Sequence, residues 1–76
     1  MKARLEFNLP EERVEFDMCT KSGDMHSVLW DMDQWLRSKT KYAPDDMSED
    51  TYKAFELCRE RLHELLNENN INLDIC

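Results

Sequence analysis

The chain has 76 residues, a formal charge of −7, and 41% apolar against 36% charged residues. A chain of this length makes one small domain over residues 1–76. It buries only about 60% of the surface that its unfolded form exposes, so its core is thin. The charge excludes a general nucleic-acid coat, which needs clustered Lys and Arg; one Gly and two Pro exclude a turn-rich β sandwich or a glycine-rich phosphate loop.

Leu5, Phe7 and Leu9 alternate with Arg4, Glu6 and Asn8, a period of two that predicts a short N-terminal β-strand over 3–9. Pro10 ends that strand and suits the first position of a helix over about 10–21. Glu11 and Glu12 then fall in its first turn, where the helix dipole favours negative charge. Val14, Phe16, Met18 and Cys19 give this helix a short, broad apolar stripe, and Gly23 is expected to stop it in a left-handed conformation. Asp24 is a good N-cap for a second helix over about 25–41. Its stripe, Met25, Leu29, Met32 and Leu36, is widened by Val28 and Trp35 and is the strongest periodic signal in the chain. Pro44 breaks the pattern. A third helix begins near Ser48, either through an Asp46-x-x-Glu49 capping box or with Ser48 as the cap, and runs to about 67. Phe55, Cys58, Leu62 and Leu65 form its stripe, Asn67 to Asn70 is turn-forming, and Ile71, Leu73 and Ile75 alternate in a short extended C-terminal segment. The fold class is therefore mainly α: an N-terminal strand, then three helices, the last two an antiparallel pair.

No apolar run approaches the roughly 18–20 residues needed to cross a bilayer. Glu6 follows Lys2 and Arg4 with no apolar stretch of the kind a signal peptide needs, so a soluble, intracellular protein is expected. Cys19, Cys58 and Cys76 are odd in number and match no zinc spacing. Cys19 and Cys58 read as small buried apolar residues, and Cys76 as an exposed thiol. His26 and His63 stand alone, as surface or boundary residues. Asp31, Asp33, Asp45 and Asp46 have no calcium-loop pattern around them. No Ser/His/Asp or Cys/His arrangement can be argued, and the sequence predicts neither an enzyme nor a metal or cofactor site.

A two-helix core with sticky strand edges predicts a homo-oligomer in which neighbouring chains complete the core. Leu57, off the main stripe beside Arg61, fits either such an interface or an ordinary exposed leucine. The second helix has another face, with Trp30, Asp33, Gln34, Arg37 and Lys41 at helical spacing, followed by Tyr42. Arg37, Lys39 and Lys41 put three positive charges into a short segment of an acidic chain. Cations at a helix C-terminus suit its dipole, and Arg37 is spaced to pair with Asp33. As a binding site the same residues offer a forked guanidinium and an ammonium for phosphates, and aromatic rings to stack on a base. A small nucleotide fits this patch better than a polymer, which the remaining acidic surface repels.

Leu5-Glu6-Phe7-Asn8-Leu9-Pro10-Glu11-Glu12 with Glu15-Phe16, then Leu29-Trp30-Asp31-Met32-Asp33-Gln34-Trp35-Leu36-Arg37, Lys41-Tyr42 and Leu62-His63-Glu64-Leu65-Leu66, resemble a group of small accessory proteins of tailed bacteriophages. The resemblance implies action in the host cytoplasm. It makes an anti-defence role an expectation: either an oligomeric sponge for a cyclic-nucleotide immune signal or an inhibitor that binds a host protein, in the second case through an acidic face. The ligand residues Trp30, Asp33, Gln34, Arg37, Lys41 and Tyr42 rest on their chemistry, not on the resemblance.

Overall fold

The computed structural model describes residues 1–74, and the expectations for Ile75 and Cys76 lie outside the described residues. The described chain is three helices: α1 (Arg13–Thr20), α2 (Ser22–Lys41) and α3 (Glu49–Glu68). The last two pack as a pair. No helix among the described residues is long and apolar enough to cross a membrane. The molecule is elongated, 55 × 29 × 19 Å, with a radius of gyration of 17.5 Å, against about 11 Å for a compact domain of this length.

The N-terminal strand does not form, and there is no strand among the described residues. A strand needs a neighbour for its backbone N–H and C=O groups, and the chain supplies none. Leu5 and Leu9 stay exposed, and the segment is tethered mainly by Phe7, whose ring meets Phe16 edge-on with centroids 5.7 Å apart. Pro10 lies in a turn rather than at the first helical position. The Glu12 backbone N–H donates to Asn8 O at 2.8 Å, and Glu12 Oε1 accepts from the Asn8 N–H at 3.0 Å, so α1 begins only at Arg13.

Gly23 does not end α1. It lies inside α2 with no positive φ, and Asp24 sits in the first turn of α2 rather than at its cap. Helical bonds meet at the junction residue, from Lys21 N–H to Asp17 O at 3.1 Å and from Met25 N–H to Lys21 O at 2.9 Å. Glycine is only permissive of the left-handed conformation, and the break falls two residues earlier, at Lys21 with φ −95° and ψ 3°. α1 and α2 are thus almost one rod.

The start of α3 follows one of the two expected forms, with Ser48 as N-cap accepting from the Thr51 N–H at 3.2 Å. Its end is a Schellman motif. Ile71 N–H donates to Leu66 O at 2.8 Å and Asn70 N–H to Asn67 O at 3.2 Å, with Asn70 left-handed at φ 56°. This turn sends the chain back over the hairpin, where Leu73 is buried and the His26 ring donates from Nε2 to Asn72 O at 3.1 Å. Asn70→Ala is expected to cost about 1 kcal/mol because alanine lacks the short polar side chain whose local hydrogen bonding makes the left-handed conformation tolerable, whereas Asn70→Gly should cost nothing; thermal unfolding of the two variants checks this.

Only Leu36, Leu66 and Leu73 are buried apolar residues among the described ones. Cys58 is exposed and Cys19 only half-buried, so the expected α3 stripe is displaced. Phe55, Arg59, Leu62 and Leu66 face α2, and Leu65 turns outward. On α2, Leu29, Asp33 and Leu36 face inward, and Met25 and Met32 remain about half exposed. The positions that face inward on both helices are thus offset from their most apolar lines.

Candidate functional site

Asp33 is the best-buried charged residue among those described, at 5% exposure. It sits on α2 at a point where α3 crosses, and two α3 side chains one turn apart reach it. Arg59 donates from Nε to Oδ1 at 2.9 Å and from Nη2 to Oδ2 at 3.4 Å. His63 donates from Nε2 to Oδ1 at 2.6 Å. Gln34 adds a long bond to Oδ2 at 3.4 Å. The Arg59 hydrogen bond holds the Asp33 carboxyl below the usual carboxylate range, burial opposes it, and His63 reinforces it. The arrangement joins the two helices at a fixed register.

This cluster was not legible in the sequence. His63 looked solitary because its acidic partner stands 30 residues away, and Arg59 lies 26 residues from Asp33. The available signal was the spacing of Arg59 and His63 at i, i+4 on α3 with a single acid among the inward positions of α2. An Asp–His pair can orient a general base. Among the described residues, however, no Ser, Thr or Cys side chain hydrogen-bonds to His63, and the pair reads as a structural ion cluster. No group of three or more His, Cys, Asp or Glu among the described residues is placed to hold a metal ion.

Of the six residues predicted as a ligand face, Asp33 points into the helix interface and Gln34 is half-buried beside it. Trp30, Arg37 and Lys41 are exposed and recur about every two turns or one turn along one side of α2. Tyr42 follows the last turn, 72% exposed, with Lys41 Nζ 5.4 Å from its ring centre. The inward turn of Asp33 has a consequence for Arg37. The i, i+4 pairing expected between them does not form, and no carboxylate among the described residues lies within 4.0 Å of Arg37, Lys39 or Lys41. Lys39 lies over Trp35 instead, 5.0 Å from the ring centre.

A groove of about 490 Å³ lies elsewhere, between α2 and α3. Thr40, Phe55, Arg59 and His63 line it together with Glu56, Glu60 and Glu64. That acidic rim repels phosphate, so the groove and the basic-aromatic face are different surfaces of the hairpin. Compared with known proteins, the chain matches no family model, no curated protein and no solved structure.

Proposed function

We propose that the chain is a non-enzymatic binding protein that acts as a homo-oligomer. On this reading it holds a small phosphate-bearing ligand on the α2 face that carries Trp30, Gln34, Arg37 and Lys41, with Tyr42 at its end. One observation carries the reading. Arg37 and Lys41, one turn apart, have no carboxylate partner among the described residues, and Asp33, the acid one turn from Arg37, is held by Arg59 and His63. A free guanidinium beside an ammonium is an anion site in need of an anion. Trp30, 42% exposed and two turns away on the same side, supplies a surface for a base. Asp33, expected to touch the ligand, instead shapes the site from below by leaving Arg37 unpaired. Each copy presents this face open to solvent. The resemblance to phage accessory proteins supplies the setting: a host immune signal such as a cyclic nucleotide, sequestered in the host cytoplasm.

A thermal-shift series tests this. At about 100 times its Kd, a true ligand stabilises the fold by about 2.7 kcal/mol, which in a chain this small raises Tm by roughly 10 °C or more. Arg37→Ala is expected to abolish the rise while leaving the helical circular dichroism unchanged. Unchanged melting across cyclic di- and trinucleotides and cyclic ADP-ribose isomers would overturn the reading. A second reading is supported by Glu56, Glu60 and Glu64, which line one side of the inter-helix groove at helical spacing. They offer an acidic face through which the protein would inhibit a host protein. A pull-down from host lysate that retrieves no stoichiometric partner counts against that alternative.

A further inference from the structure

Val14, Met18, Met25, Val28, Met32 and Trp35 lie on one line along the α1–α2 rod. Their separations, with Lys21 in the gap, are alternately four and three residues, the spacing of a coiled-coil seam. Lys21 alone separates the two helices and is bonded to both, its N–H donating to Asp17 O and its O accepting from Met25 N–H. The six side chains are between 48% and 68% exposed. The line runs beside the α3 contact, on the opposite flank from Trp30, Arg37 and Lys41, and Leu65 of α3 continues it, also exposed.

We propose that this line is the self-association surface, and that its occupant is the same line of a second copy of this chain. The proposal deepens the oligomeric reading above by naming the surface. Two observations favour a second copy. The first is area. Each of the six residues leaves on the order of 100 Å² uncovered, so one chain presents roughly 600 Å² of contiguous apolar surface. That is at the upper end of the largest patch a typical monomer exposes and approaches the ~800 Å² per partner of a stable dimer. The second is the state of the single chain. It has three buried apolar residues among those described, and no side chain is fully enclosed. A copy of itself, present whenever the chain is made, covers the line with an isologous two-fold contact and turns each two-helix layer into half of a four-helix core.

The two tryptophans allow a direct test, because one stands on each flank. In a Trp30→Phe variant the remaining Trp35 is expected to lose access to acrylamide as the protein is concentrated from about 10 nM to about 100 μM, the range over which mass action forms a dimer. In a Trp35→Phe variant, Trp30 is expected to stay equally quenchable throughout. Native mass spectrometry of the unaltered chain should give an even-numbered oligomer, and Val28→Glu should reduce it to monomer. Should Val28→Glu fail to fold, the quenching pair still decides. A helical monomer at ~100 μM, or shielding of Trp30 in place of Trp35, would overturn the proposal. These readouts need no ligand. An oligomer that shows no thermal shift removes only the ligand reading, whereas a monomer removes this proposal together with the oligomeric part of that reading.

Discussion

Replacing Asp33 with Asn is expected to lower the stability of the fold by about 2–3 kcal/mol, because it leaves the Arg59 guanidinium partly buried against a neutral amide. Arg59 is only a third exposed on its side chain, whereas Asp33 is almost fully covered. The double change Asp33→Leu with Arg59→Met should recover most of the loss, since removing both charges leaves neither unpaired. Urea denaturation at fixed protein concentration measures both. The pH dependence has a definite sign. Asp33 has its folded pKa depressed, with the Arg59 hydrogen bond as the largest cause. Its contribution is therefore fully present above the unfolded carboxylate value near ~4 and is lost as pH falls through the lower folded value. The gap between the native protein and Asp33→Asn should narrow as pH falls below about 4. A gap that stays constant from neutral to acid pH would mean that the charge of Asp33 does not stabilise the hairpin.

Leu66→Ala is expected to have an effect of similar or greater size. The described core consists of Leu36, Leu66 and Leu73, and removing a buried leucine side chain costs about 2–5 kcal/mol. Small domains often hold no more than about 5 kcal/mol in total. Leu66 also accepts the Ile71 N–H that closes the Schellman turn, so a collapse at this site loosens the returning segment and Leu73 with it. The variant should be largely unfolded at 37 °C and should melt with low cooperativity. Leu57→Ala, at a site 63% exposed, should change stability by less than about 0.5 kcal/mol. Equal losses at the two sites would place the core elsewhere.

The two results bear on different parts of the molecule. Asp33 sets the rotation of α2 and α3 and leaves Arg37 without its neighbouring acid. Leu66 and Leu73 hold the hairpin closed. Loss of either should also weaken the proposed ligand face and seam, since both depend on α2 staying in its present phase.

Much of the helical layout was legible. Ser48, the acids after it and the break at Pro44 marked the start of α3, and Asn67 to Asn70 marked its end. The apolar periodicity located α2 and its pairing with α3. The N-terminal strand was misread because period-two alternation describes one segment, and a strand exists only with a partner. Gly23 was misread because its conformational freedom permits a stop without enforcing one. Of the residues proposed to hold a ligand, Trp30, Arg37 and Lys41 share one exposed side of α2, and Asp33 is buried in the helix pair instead.

The sequence by itself determined where the chain turns helical, because caps, turn residues and apolar spacing act over a few residues. It also carried, unrecognised, two overlapping apolar lines on α2. Only the tertiary structure decided which line faces α3. That choice rests on one carboxylate meeting an arginine and a histidine 26 and 30 residues away. Burying that charge is tolerable only with its partners in place, and the helix faces that meet are the ones that bring Asp33, Arg59 and His63 together. The line left outside, Val14 to Trp35, follows from the same constraint.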